Sequence, residues 1–115
     1  MTARYIQKGE AIDYRPTENV AAGDVIVLGN LIGIARLDIP ANTLGALTVV
    51  GCFEAPKATG AINAGVVVYW DATNSKVTTT ATGNPYLGKA IYAAESGDET
   101  VQFLLNAPYV ATANA

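Results

Sequence analysis

The sequence predicts an all-β protein, a small antiparallel β-barrel or β-sandwich of about eight to nine short strands. Its apolar residues occur in short runs rich in Val, Ile, Tyr and Thr, and Gly, Asn, Asp and Pro separate these runs. No stretch keeps helical spacing for long. Because the chain has 115 residues, of which 50% are hydrophobic and 15% are charged, it can bury one modest core. We expect that single β domain to span residues 16–106.

The candidate strands follow one another closely, which favours a barrel or sandwich over an α/β fold. Each is a short apolar run that ends at a residue common in turns. They are Arg4–Gln7, Ala11–Arg15, Val25–Leu28, Leu31–Arg36, Ala46–Glu54, Val66–Trp70, Lys76–Thr80, Tyr86–Ala93 and Thr100–Asn106.

Turn residues predict two hairpins. Gly29 and Asn30 separate two apolar runs, and both residue types tolerate the positive φ that tight hairpin turns require. A polar loop at 71–75 separates the next pair of strands. Asp71 is expected to form an Asx-type turn there and not a calcium site, because the ligand spacing and the distal Glu of a calcium loop are missing. The segment 55–64 fits either one helical turn or an irregular connection.

A short pattern, a small residue and Gly ahead of a strand, recurs at 22–25, 64–67 and 96–99. Glycine is the default residue of turns, so the pattern is expected wherever a strand begins. The pattern therefore does not establish a repeat fold.

The residues needed for catalysis are missing. The chain has no histidine, which removes the commonest general base and the commonest metal ligand. The local carboxylate pairs, Glu10 with Asp13 and Asp98 with Glu99, are expected to be solvated charges, and no phosphate-binding loop occurs. We therefore expect a protein that is not an enzyme, with no catalytic residues, no cofactor and no metal.

Three single residues have reactive or aromatic side chains, and each has a structural interpretation. Cys52 lies in an apolar run beside Phe53, which predicts an inert buried thiol. Trp70 is expected to pack in the core or at a subunit interface. Lys57 follows Pro56 and is expected to face solvent.

The charge pattern argues against nucleic acid as a partner. The net charge is -3, the pI is about 4.7 and the seven basic residues are scattered. The sequence also has no apolar run long enough for a signal peptide or a membrane span, so we expect no membrane partner and synthesis in the cytoplasm.

Three strings in the middle of the chain resemble a known family: GCFEAPK at 51–57, VVYWD at 67–71 and KVTTT at 76–80. They are similar to the capsid cement, or head decoration, proteins of tailed bacteriophages and prophages, a family formerly called a domain of unknown function and sometimes mislabelled as a recombinase. The resemblance extends over almost all of residues 5–105. Cys52 stands where the family usually has an aliphatic residue.

This resemblance implies a protein that binds the outer surface of an expanded capsid and holds neighbouring major capsid protein subunits together. It implies a homotrimer without enzymatic activity, made in the cytoplasm of the host bacterium and located on the outer surface of the virion. An alternative is a carbohydrate-binding or host-adhesion module on the virion. That alternative requires aromatic side chains exposed on one face, and burial of Tyr69 and Trp70 counts against it.

The N-terminal segment, 1–15, contains the candidate contact residues. It alternates apolar and polar side chains, and Tyr5, Ile6, Ile12 and Tyr14 are the predicted partner-contacting residues. The segment is either an arm that pairs with a capsid strand edge or the first strand pair of the domain. At the other end, residues 107–115 are expected to form a loosely ordered tail.

Overall fold

The computed structural model describes residues 2–108, in which nine strands form two antiparallel sheets. This described part contains no helix, so the prediction of an all-β fold is confirmed. The sheets form a sandwich and not a closed barrel. The strands are β1 (Ala11–Tyr14), β2 (Val25–Leu28), β3 (Leu31–Ala35), β4 (Gly45–Thr48), β5 (Gly51–Pro56), β6 (Val67–Asp71), β7 (Lys76–Thr78), β8 (Tyr86–Ala90) and β9 (Thr100–Leu105).

The first sheet has the order β1-β4-β3-β2, and the second has the order β5-β9-β8-β6-β7. Both predicted hairpins are present. Leu28 pairs with Leu31, which leaves Gly29 and Asn30 as a two-residue turn. Only Gly29 has a positive φ, of 64°, as in a type II′ turn. Asp71 likewise pairs with Lys76 at the end of the β6–β7 hairpin.

Two strand predictions were wrong. Residues 4–7 form no strand and are exposed. The predicted strand Ala46–Glu54 is divided into β4 and β5, which belong to different sheets. The chain crosses between the sheets at Gly51, whose φ of 124° is a conformation that side chains disfavour.

The predicted tail, 107–115, lies outside the described residues except for Ala107 and Pro108. Ala107 is buried, and its carbonyl accepts a hydrogen bond from the Tyr86 hydroxyl. Just before it, Asn106 connects the two sheets. Its Nδ2 donates to the carbonyls of Ile32 and Val49, at 2.8 and 2.7 Å.

The two sheets share one arrangement of strands. We call the sheet of residues 11–48 the first half and the sheet of residues 51–105 the second half. The order β1-β4-β3-β2 corresponds to β5-β9-β8-β6, and the hydrogen bonds outside the strands correspond as well. Gly23 N donates to Ala35 O at 2.6 Å, and Gly65 N donates to Ala90 O at 2.7 Å. The glycines at 23 and 65 form turns ahead of strands, as predicted, and the two patterns start equivalent strands. The third pattern, at 96–99, forms a turn that corresponds to residues 40–43: Asp98 N donates to Glu95 O at 3.0 Å, and Thr43 N donates to Pro40 O at 3.2 Å.

The core follows the same duplication. The smaller hydrophobic cluster lies in the first half, and each of its buried residues has a counterpart in the larger cluster, which combines the second half with Ile32 and Ile34 of β3. Isolated antiparallel bridges join Val20 to Ile39 and Ile62 to Ala94 in the two halves. The buried residues of the first half are Val20, Ala35, Ile39 and Leu47, and their counterparts are Ile62, Ala90, Ala94 and Phe103.

The halves differ in one insertion. The second half contains β7, which pairs with β6 and has no counterpart among the described residues of the first half. Val77 of β7 is fully buried in the larger cluster. In the first half, the two-residue turn at Gly29 and Asn30 stands where the second half inserts residues 72–84.

Candidate binding surface

The four predicted contact residues occupy two different environments. Tyr5 and Ile6 are 81% and 72% exposed, on a segment in which residues 2–10 are all exposed. Ile12 and Tyr14 lie in β1 and pack, partly buried, against the smaller hydrophobic cluster. Only Tyr5 and Ile6 therefore present most of their apolar surface to a partner.

The N-terminal segment enters the domain at a sheet edge. β1 is one edge strand of the first sheet and pairs with β4, with Ile12 opposite Leu47. Before β1, the Gln7 side-chain amide donates to the Ala11 carbonyl at 2.8 Å, a bond within the segment itself. An extended, exposed chain beside an edge strand has backbone groups available for pairing.

Two loops carry exposed apolar residues that the sequence analysis did not select. Leu37 follows β3 and is 78% exposed, and Tyr92 follows β8 and is 64% exposed. Each lies two residues after a buried alanine, Ala35 or Ala90, so they occupy equivalent positions in the two halves. No signal in the sequence selects them, because the correspondence of the two halves is visible only in the structure.

The predictions for Cys52 and Lys57 were wrong. Cys52 is exposed, because β5 alternates and turns Phe53 toward the core. Lys57 is buried, since it continues the inward-facing positions of that strand beyond exposed Pro56. Its Nζ donates to the carbonyls of Ala58 and Ser96, at 3.1 and 3.5 Å.

The exposure of Cys52 has a direct chemical consequence. We expect an aromatic disulfide reagent to modify Cys52 in the folded protein at a rate within about tenfold of the rate in denaturant, because access no longer limits the reaction. Absorbance of the released thiolate measures both rates. A Cys52→Ser, Leu105→Cys variant is the matched control, since Leu105 is buried and should react only on unfolding. A Cys52 thiol that reacts as slowly as this control contradicts the exposed position.

The aromatic residues of β6 do not form a sugar-binding face. Trp70 is 7% exposed within the larger cluster, and Tyr69 is half-buried with its ring edge-on to Tyr86, at a centroid distance of 6.3 Å. Among the tyrosines within residues 2–108, the two most exposed, Tyr5 and Tyr92, lie on the N-terminal segment and on a loop. This arrangement counts against the carbohydrate-binding alternative.

The predicted Asx-type turn is confirmed. Asp71 Oδ1 accepts hydrogen bonds from the backbone N–H groups of Thr73 and Asn74, at 3.1 and 3.2 Å. The Asn74 side-chain amide donates to Oδ2 at 2.8 Å, and this bond is the main reason that the pKa of Asp71 lies below its ordinary value. The Asp71 carboxylate is thus occupied by its own turn. Across residues 2–108, no three His, Cys, Asp or Glu side chains cluster as metal ligands would.

Comparison with known proteins gives one match. A family model described as phage cement protein matches residues 6–105. No curated protein and no solved structure matches the chain. Within residues 2–108 there is no helix capable of crossing a membrane. The matched range includes all nine strands and most of the chain, and it agrees with the resemblance of the central strings. This chain belongs to the phage cement protein family.

Proposed function

We propose that this protein binds the outer surface of the expanded phage head as a homotrimer and stabilises the lattice of the major capsid protein. The observation that carries the proposal is the family match over residues 6–105. The protein acts by binding and not by catalysis. The scarcity of charge and the exposed apolar side chains suit a surface that neighbouring subunits cover.

The stabilising effect follows from differential affinity. A cement that binds the expanded shell more tightly than the unexpanded one shifts the equilibrium toward the expanded shell. Each copy contributes the difference between its two binding free energies. Because many copies bind one shell and each bridges separate subunits, weak single contacts sum to a large effect.

Tyr5 and Ile6 are the contact residues that we propose for a neighbouring subunit of the shell. Both side chains are exposed in the isolated chain, so a partner can bury their apolar surface. Ile12 and Tyr14 instead pack against the domain and anchor the base of the segment.

The test is co-sedimentation with capsids that lack decoration. We expect the protein to sediment with expanded capsids and to stay in the supernatant with unexpanded ones. The double variant Tyr5→Ser, Ile6→Ser should lose most of this binding, while Tyr92→Ser controls for the loss of an exposed tyrosine elsewhere. Equal sedimentation with both capsid forms, or with neither, contradicts the cement function. Full binding by the double variant contradicts only the assignment of the contact residues.

A further inference from the structure

We propose that the cleft around Lys57 is a binding site for a carboxylate group. In the assembled head, an acidic side chain of a neighbouring subunit of the shell supplies this carboxylate, and this second part rests on the proposed function. The cleft lies in the second half, at the end of β5, and it contains none of the contact residues proposed above.

The ammonium group of Lys57 is buried without a counter-ion. Lys57 is 5% exposed, and it is the one buried charged side chain of residues 2–108. Within the same residues, the only ion pair joins Lys8 to Glu10. The carbonyls of Ala58 and Ser96 accept two of the three N–H donors of Lys57, the second at 3.5 Å, the long limit for a hydrogen bond. A buried charge that lacks a third acceptor is costly, and a ligand with an acceptor oxygen relieves that cost.

The fold itself does not require a charge at this position. Ile12 and Phe53 occupy equivalent positions of the two halves, because each lies opposite a matching core residue of the neighbouring strand. Pro16, four residues after Ile12, therefore corresponds to Lys57, four residues after Phe53. Pro16 is also buried. An uncharged residue thus fills the same place in the first half, which points to a role for the ammonium group beyond packing.

The surroundings of Lys57 suit a carboxylate. The cleft has a volume of about 390 Å³, and Lys76 of β7 lines it with a second ammonium group. Thr59 and Ser96 line it as well, and their hydroxyl groups can donate to an acceptor. A carboxylate has two charged oxygens that accept several hydrogen bonds, so it matches two lysines and two hydroxyls better than a neutral acceptor does.

Two acidic residues restrict which carboxylate can bind. Asp98 and Glu99 line the cleft and are exposed, and neither forms an ion pair with Lys57 or Lys76. Asp98 Oδ2 accepts a hydrogen bond from the backbone N–H of Glu95 at 2.8 Å, so it is held in its own turn. These acids leave Lys57 without a counter-ion and repel a polyanion. They favour a single acidic side chain that has a basic or amide group beside it, as protein surfaces provide.

The first experiment detects the carboxylate at the ammonium group itself. The chain has four lysines, so a carbon-13 spectrum can resolve the Hε–Cε signals of Lys8, Lys57, Lys76 and Lys89. Sodium acetate is titrated at neutral pH against sodium chloride of equal ionic strength. We expect acetate to shift the Lys57 signal saturably, with half-saturation in the millimolar range, and to shift the Lys76 signal in parallel. Lys8 and Lys89 lie outside the cleft, so their signals are internal controls that should not saturate.

The second experiment tests the source of the carboxylate. Lys57→Met removes the charge and keeps a long side chain, and Lys89→Met is the matched control outside the cleft. In co-sedimentation with expanded capsids, we expect Lys57→Met to lose about tenfold in affinity, the loss typical of one charged hydrogen bond, and Lys89→Met to bind as wild type does. Excess acetate should weaken the binding of wild type and not that of Lys57→Met. A circular dichroism melt confirms that each variant folds.

Three results overturn the carboxylate site: no saturable shift of the Lys57 signal in acetate, equal shifts of the Lys8 and Lys89 signals, or a saturable shift with methylammonium chloride in place of acetate. Full capsid binding by a folded Lys57→Met variant overturns the shell as the source. If Lys57→Met does not fold, acetate competition against wild type decides that point. The acetate titration involves no capsids, so its failure and the failure of the cement function are distinguishable.

Discussion

Replacing Gly88 with alanine is expected to destabilise the domain by about 3 kcal/mol or more, the upper range for overpacking a close contact. A Cβ at this position of β8 would lie 2.0 Å from the carbonyl oxygen of Leu104 and 3.3 Å from the backbone nitrogen of Asn106. Both atoms belong to the backbone, so a side-chain rotation cannot relieve the clash. Either β8 and β9 separate or the sheet distorts beside the core. Urea unfolding followed by tryptophan fluorescence measures the loss.

Gly97→Ala is the matched control for this change. A Cβ at Gly97 meets no atom within 4 Å, and its φ is outside the left-handed region. The same chemical change should therefore alter the free energy of unfolding by less than about 0.5 kcal/mol. If Gly88→Ala and Gly97→Ala unfold at the same urea concentration, the close approach of β8 to β9 is not as described.

Phe103→Ala should produce the second large effect, a loss of about 3–5 kcal/mol in the free energy of unfolding. Phe103 is fully buried at the centre of the larger cluster, and its ring stacks on Phe53 at a centroid distance of 6.4 Å. Truncation removes this contact and leaves a cavity that the surrounding strands cannot fill.

Leu104→Ala provides the comparison for Phe103→Ala, since Leu104 is the next residue of β9 and faces outward, 36% exposed. We expect it to lose less, about 1–2 kcal/mol, because part of the removed surface was already in contact with water and truncation at the outer face leaves no enclosed cavity. Thermal unfolding by circular dichroism ranks the two variants. A Leu104→Ala variant that is less stable than Phe103→Ala would mean that the inward and outward faces of β9 are reversed.

Much of the secondary structure could be predicted because short-range chemistry determines it. The turn at Gly29 and Asn30, the loop of Asp71 and the alternating pattern of the last strand each carry a local signal. The break between β4 and β5 had no such signal, because Thr48, Val49 and Val50 are all β-formers. Only long-range pairing of β4 with β1 and β5 with β9 separates them.

The duplication was hidden for a different reason. Equivalent core positions hold residues of different size, such as Leu47 and Phe103, so few identities remain between the halves. The insertion of residues 72–84 also shifts the spacing between equivalent strands partway through the second half. The backbone hydrogen bonds of the two halves are equivalent, although most of their side chains differ.

The candidate contact surface was predicted in part. The exposed part of the N-terminal segment was identified, but the residues of β5 were assigned to the wrong faces of the strand. A one-residue shift in phase exchanges the two faces of a strand, which explains why Cys52 was expected inside and Lys57 outside. The loop residues Leu37 and Tyr92 could not be selected from a single loop sequence, since isolated apolar loop residues are common.

Because Cys52 is exposed, the number of protein copies bound to a capsid can be measured with a thiol label. The chain contains a single cysteine, and it is exposed. One maleimide dye therefore attaches to each molecule at a known place on the outer face of the second sheet. On a saturated capsid, the ratio of dye absorbance to capsid concentration gives the number of bound copies. Titration of the labelled protein then shows whether copies occupy the shell independently or in groups.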